Sequence, residues 1–259
     1  MERITSAQNA KIKYLLELQA KSRERRQSGL FVVEGVREIE HCAGCGYQVQ
    51  TLFVCPEICT EQSPVMAQAA QVIEVSRQIY DKVAYRGGTE GMIAEVKAKR
   101  HGLDSLNLKK DALVMVLESV EKPGNLGAVL RSADAAAADA VIICDPLTDI
   151  YNPNLIRSSI GAVFTVPVAA ATSEDTIAFL KERNFEILTA QLQDSELYYN
   201  TDMTGPTAIV MGTESTGLSD AWRQAASAHI RIPMLGRLDS LNVSVSAAIL
   251  LFEAIRQRQ

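Results

Sequence analysis

No apolar run in this chain approaches the roughly 20 residues needed to span a bilayer, and the opening Met1-Glu2-Arg3-Ile4-Thr5 lacks the apolar stretch of a secretory signal. A soluble cytoplasmic protein is therefore expected. Paired C-x-x-C motifs on both sides of a would-be metal are also lacking. Four of the five cysteines, Cys42, Cys45, Cys55 and Cys59, crowd beside His41, but they flank a helix end and an apolar strand and read as small hydrophobes. There is no G-x-G-x-x-G after the first α/β unit, which disfavours nicotinamide binding. Internal repeats and low-complexity segments are missing too.

An overall basic balance is lacking as well, since the net charge is −5. A surface coated for nucleic acid would need more lysine and arginine. The average hides an asymmetry, however. Residues 1 to 37 carry eight basic side chains against four acidic ones, a surplus of four. A polyanion should meet this end first, with Lys11, Lys13, Arg23, Arg25 and Arg26 as candidate contacts; taken alone, the same charges describe a solvated helix face.

What is present is enough apolar material, 47% of 259 residues, to bury sizeable cores in two domains. Ile12, Leu15, Leu16 and Leu18 have helical spacing, the run Lys21 to Arg26 follows, and Gly29 ends it before the strand Leu30 to Val33. Short units then alternate: a helix around Val36 to Cys42, a strand Val49 to Val54, a helix near Val65 to Ala70 and a strand Val72 to Val75. These features predict a small α/β domain over residues 1–97. The charged stretch Lys97 to Ser105 loses periodicity, and the linker is placed at 98–111.

Beyond it, Leu113 to Leu117, Ala140 to Cys144, Phe185 to Ala190, Ala208 to Met211 and Ile230 to Ile232 read as strands buried on both faces of a parallel sheet. Helices are expected to start near Asn125, Asn152, Ser173 and Ser219. A last helix runs from about Val243, with Val245, Ile249, Phe252 and Ile255 as an apolar stripe. The second domain therefore spans 112–259.

Three segments carry the chemistry. Asn125-Leu126-Gly127-Ala128-Val129-Leu130-Arg131 opens a helix after a buried strand, so Asn125 reads as its cap and Arg131 as a surface charge. Met211-Gly212-Thr213-Glu214-Ser215-Thr216-Gly217-Leu218-Ser219 leaves a strand through glycines that let backbone approach a ligand, at the C-terminal strand ends where open α/β sheets bind. Ile232-Pro233-Met234-Leu235-Gly236-Arg237-Leu238-Asp239-Ser240-Leu241-Asn242 joins a strand exit to a helix rich in small residues, with Ser240 placed to cap it.

Together the three resemble, in order, the signature set of the SpoU (TrmH-like) RNA ribose 2′-O-methyltransferases of the SPOUT superfamily. Asn9 to Lys13, the basic run, Phe31-Val32-Val33-Glu34-Gly35 and Thr89 to Val96 are similar to the substrate-binding domain preceding many such catalytic domains. The resemblance implies a C-terminal parallel-sheet domain with a deep trefoil knot and a smaller N-terminal α/β (ribosomal protein L30e-like) domain. It implies Arg131 and Asn125 at the catalytic centre with Glu214, Ser240 and Asn242. It also implies S-adenosyl-L-methionine held near Gly212, Glu214, Gly217, Ile232, Leu235 and Leu241, with no metal required, and a homodimer that assembles each site from both chains. The substrate so implied is structured RNA, with 23S ribosomal RNA favoured over tRNA because an added basic module extends the contacted surface. The rivals are a non-catalytic RNA-binding relative and a metabolic enzyme of the nucleotide-binding α/β class.

Overall fold

The computed structural model describes residues 2–59, 63–85, 90–213 and 216–259. The chain divides into two compact units, one of residues 1–99 with 149–165 and one of 100–148 with 166–259.

The first unit contains β1 (Glu2–Ile4), α1 (Ala10–Ala20), α2 (Ser22–Ser28), β2 (Leu30–Glu34), α3 (Val36–Gly44), β3 (Val49–Val54), α4 (Val65–Gln68), β4 (Gln71–Val75), α5 (Arg77–Val83) and β5 (Met92–Lys97). Its mixed sheet has the order β1-β4-β3-β5-β2, with β5 antiparallel to both neighbours. Asn9 caps α1 by accepting the Lys11 N–H at 2.9 Å. Ile12, Leu15 and Leu18 then bury one face of α1 against Phe53, Ile73 and Ile93. Gly29 ends α2 in the left-handed region at φ 66°, where a Cβ is costly.

Two short helices from further along the chain, α7 (Pro153–Ser158) and α8 (Ala162–Thr165), belong to this unit. Tyr151, just before them, stacks on Phe31 with ring centroids 4.0 Å apart. Arg25, expected on an RNA-facing surface, is instead buried here. Its Nε donates to Asp149 at 2.6 Å and its Nη1 to the Leu18 and Gln19 carbonyls. Removing one partner of a buried ion pair strands the other charge, whereas replacing both with apolar groups costs little. Asp149→Ala should therefore destabilise the protein by about 3–5 kcal/mol in denaturant titrations, and Arg25→Met/Asp149→Leu far less. Equal losses in the two variants would contradict the pairing.

The second unit contains β6 (Leu113–Glu118), α6 (Pro123–Ala135), β7 (Ala140–Cys144), β8 (Val168–Ala171), α9 (Ser173–Glu182), β9 (Glu186–Ala190), β10 (Glu196–Leu197), β11 (Thr207–Met211), α10 (Asp220–Ala225), β12 (Ala228–Arg231) and α11 (Val243–Gln257). Seven parallel strands lie in the order β10-β12-β9-β11-β6-β7-β8. All residues of β6, β7 and β11 are buried, as near-continuous aliphatic strands covered on both faces should be. β12 stops at Arg231, two residues before Pro233. Trp222 is fully buried in the core.

Leu103, Leu106 and Leu108, within the stretch expected as linker, pack against this core. The apolar stripe expected on α11 is not its buried face. The helix inserts Val243, Ala247, Leu250, Leu251 and Ala254, and leaves Val245 and Phe252 about half exposed, at 48% and 49%. Among the described residues no helix is long and apolar enough to cross a membrane.

Candidate active site

The second segment leaves the C-terminal end of β11 through Gly212 and folds back on itself. The Gly217 N–H donates to the Thr213 carbonyl at 3.1 Å, and the Thr216 N–H to Thr213 Oγ1 at 3.0 Å. A Cβ on Gly212 would land inside the backbone of Gly217 and Leu218, so only glycine lets the two strands of this turn approach so closely. Gly217 sits at φ 69°, again a glycine conformation. Glu214 lies outside the described residues.

The third segment, after β12, runs without regular structure to α11. The helix is capped by Asn242, whose Oδ1 accepts the Ser244 N–H at 3.0 Å and the Ser244 hydroxyl at 2.6 Å. Ser240, the expected cap, lies two residues short of that position and is exposed. Its capping role passes to Asn242, which stands immediately before the first helical residue.

These two segments, with the loop after β9, enclose a cleft of about 450 Å³ at the C-terminal ends of β9, β11 and β12. Of the residues expected around the cofactor, Gly212, Gly217, Ile232 and Leu241 line it, and Ser240 joins them. Leu235 does not; it is 96% exposed. Sequence reasoning missed Gln191, Arg223, Arg231 and Asp239. Arg231 directly precedes Ile232-Pro233 and could have been found from that adjacency, but nothing local marks Arg223, which reaches the cleft from α10. The walls combine apolar Leu218, Ile230 and Met234 with these few polar groups, the composition of a small-molecule site.

The first segment reaches the same region from α6. Pro123 is the first residue of that helix and Lys122 holds the capping position, so Asn125 lies inside the first turn and is not the cap. Its Oδ1 accepts a hydrogen bond from Asn242 Nδ2 at 3.1 Å, tying the first segment to the third across 117 residues. Arg131 is exposed on α6, outside the cleft lining, and makes no hydrogen bond or ion pair to another described residue. In the first unit Lys13, Arg23 and Arg26 are exposed, while Lys11 pairs with Glu2 at 2.6 Å.

Residues 112–252 match the SpoU rRNA Methylase family, and residues 9–94 match the MRM3-like substrate binding domain. A relative from Pectobacterium atrosepticum, the 23S rRNA (guanosine-2′-O-)-methyltransferase RlmB, is 37% identical over 198 residues, 74% of this chain and 81% of its own. A crystal structure of an RNA 2′-O ribose methyltransferase is 39% identical, covers 99% of each chain and superposes with a TM-score of 0.85. The AdoMet-bound rRNA methyltransferase from Sinorhizobium meliloti is 28% identical, with 98% of this chain and 97% of that one covered and a TM-score of 0.90. With more than half of its length matched and its fold shared end to end, the chain belongs to the SpoU rRNA methylase family.

Proposed function

We propose that this protein transfers a methyl group from S-adenosylmethionine to a ribose 2′-hydroxyl of structured RNA, 23S ribosomal RNA in particular. Supporting this most directly is the convergence of the three segments at one end of the sheet: the second and third line the cleft, and the Asn242–Asn125 bond joins the first to the third. Work on ribosomal RNA goes with a cytoplasmic location. The reading includes residues 1–97 as the RNA-binding, L30e-like domain and 112–259 as the catalytic domain. The latter carries the deep trefoil knot.

The cleft suits the cofactor. Its volume falls within the range of small-molecule sites, Leu218, Ile232 and Leu241 offer apolar surface to an adenine, and Thr213, Thr216 and Ser240 offer polar anchors. When bound, S-adenosylmethionine supplies an electrophilic methyl on a sulfonium, a chemistry that needs neither an acid for the leaving group nor a metal. The protein's remaining tasks are alignment and stabilisation of charge on the ribose oxygen. Guanidinium groups keep their proton in proteins, so Arg131 acts as an electrostatic partner of the developing oxyanion and the neighbouring phosphate and not as a base. Asn125, Asn242, Ser240 and Glu214 orient the reacting groups. Lys11, Lys13, Arg23 and Arg26 contact RNA phosphates; Arg25 is committed to Asp149.

The site is shared between two copies of the chain. Arg131 lies outside the cleft of its own chain, and α11 exposes Val245 and Phe252 as an apolar surface for a second copy. Assayed with S-adenosylmethionine well below its KM, mixed dimers of an Arg131→Ala chain with a Gly212→Ala chain should then exceed the activity of either homodimer, because one of the two sites is intact. No such gain would contradict sharing. Calorimetric titration with S-adenosylmethionine tests the reading itself: saturable binding at one site per chain is expected, and no binding would overturn it.

A further inference from the structure

Glu118 is a buried carboxylate, 7% exposed, at the C-terminal end of β6, an interior strand of the sheet. It stands outside all three segments. Its Oε2 accepts the Ser219 N–H at 2.8 Å, across 101 residues of sequence, and its Oε1 lies 3.3 Å from Ser173 Oγ. Ser219 is the last residue of the second segment and occupies the capping position of α10, where its hydroxyl makes no capping bond. The carboxylate thus holds the far end of the loop whose near end is fixed by β11. Between those anchors lie Gly212, Thr213, Thr216, Gly217 and Leu218, the wall of the cleft.

The surroundings of Glu118 make this anchor stiff. Ser173 Oγ receives Trp222 Nε1–H at 2.9 Å, and lies 2.6 Å from Asp145 Oδ2. The Ser173 N–H donates to the same Asp145 oxygen at 3.2 Å. Trp222 lies on α10, one turn beyond Ser219, so the network grips the loop exit and the helix following it. Immediately after Glu118, Ser119 sits at φ 52°, and after β7 Asp145 sits at φ 48°. Non-glycine residues held in the left-handed region carry strain that surrounding structure must over-determine, and such residues gather at functional sites. Burial, with the carboxylates of Asp145 and Glu118 nearby, pushes the adjoining Cys144 thiol up to about 12, so it stays neutral and adds no charge to the network.

We propose that Glu118 is a positioning residue for the cofactor: by holding Ser219 it sets the position of Thr216, Gly217 and Leu218 and hence the shape of the cleft wall, without touching the reacting atoms. The inference rests on reading the cleft as the S-adenosylmethionine site. A merely structural carboxylate would change stability alone. A positioning carboxylate changes cofactor affinity while the chemical step, once the cleft is filled, proceeds as before.

The experiment compares wild type, Glu118→Gln and Ser173→Ala by calorimetric titration with S-adenosylmethionine, steady-state kinetics and thermal melting. Glu118→Gln exchanges a charged acceptor of the Ser219 N–H for a neutral amide, and should weaken binding and raise KM for S-adenosylmethionine by about tenfold. Its kcat at saturating cofactor should stay within about threefold of wild type. Glu118→Asp, which keeps the charge on a shorter arm, should recover part of the affinity. Ser173→Ala removes the partner of Trp222 and leaves the Glu118–Ser219 bond in place, so its melting temperature should fall while its affinity falls less than that of Glu118→Gln. Wild-type affinity in a folded Glu118→Gln protein, or equal affinity losses in Glu118→Gln and Ser173→Ala, would overturn the inference. Failure of the wild type itself to bind would overturn the functional reading beneath it, which keeps the two failures distinct.

Discussion

Arg131→Ala is expected to lower turnover by about 10²–10³-fold, the usual cost of removing one donor from a charge-stabilising site. The melting temperature and the affinity for S-adenosylmethionine should not move. The separation follows from where the residue stands. Arg131 is exposed on α6, makes no hydrogen bond or ion pair to another described residue, and lies outside the cleft lining. Truncation therefore removes no hydrogen bond or ion pair to a described residue and no part of the cleft wall. Arg131→Lys preserves the positive charge but loses the planar fork that can hold phosphate and oxyanion together, and should fall between alanine and wild type. The readout is single-turnover methyl transfer with both substrates saturating. An alanine variant keeping more than about a tenth of wild-type turnover would remove Arg131 from the catalytic centre.

Gly212→Ala is expected to do the opposite, lowering affinity first. The added methyl would overlap the carbonyl carbon and oxygen of Gly217 and the nitrogen of Leu218, all backbone atoms with no flexible end to swing away. The turn held by the Thr213–Gly217 bridge would have to open, and its residues form one wall of the cleft. Overpacking of this kind costs about 1–3 kcal/mol, and a loss of that size in the cleft wall corresponds to roughly tenfold or more in cofactor affinity. Gly124→Ala is the matched control, because a Cβ there meets nothing within 4 Å; its affinity should match wild type. Should Gly212→Ala bind S-adenosylmethionine as wild type does, the turn is not the cofactor wall.

Much of this architecture is legible in the chain, and the parts that are not share a physical cause. Strands β6, β7, β9 and β11 announce themselves because burial on both faces demands continuous aliphatic runs such as Leu113-Val114-Met115-Val116-Leu117. By contrast β8 is Val168-Ala169-Ala170-Ala171, which has little strand propensity and becomes a strand by pairing with β7. The edge strands β1 and β10 have three and two residues, too few for any period to show. Glycine and proline punctuation reads well where the backbone itself decides the outcome, as at Gly29 and Gly212.

Side-chain duties that depend on distant partners do not read at all. Arg25 sits in a basic run and looks like its neighbours, yet its fate is decided by Asp149, 124 residues away. The placement of residues 149–165 with the first unit rests on that pair and on the Phe31–Tyr151 stack, neither of which has a local signal. Asn125 was expected as a cap, and Lys122 and Pro123 displace it, leaving its amide to meet Asn242. Glu118 reads as one more residue ending a buried strand until Ser219 is seen beside it.

The most direct measurement of the central claim is transfer of labelled methyl from S-adenosylmethionine to 23S ribosomal RNA, followed by complete alkaline hydrolysis. A methyl on the 2′-oxygen blocks the attack of that oxygen on the adjacent phosphate, so the linkage survives alkali. The account predicts label in alkali-resistant dinucleotides with wild type and its loss with Arg131→Ala. Label released in mononucleotides, which would mark methylation of a base, or no transfer by a protein that binds the cofactor, would contradict it.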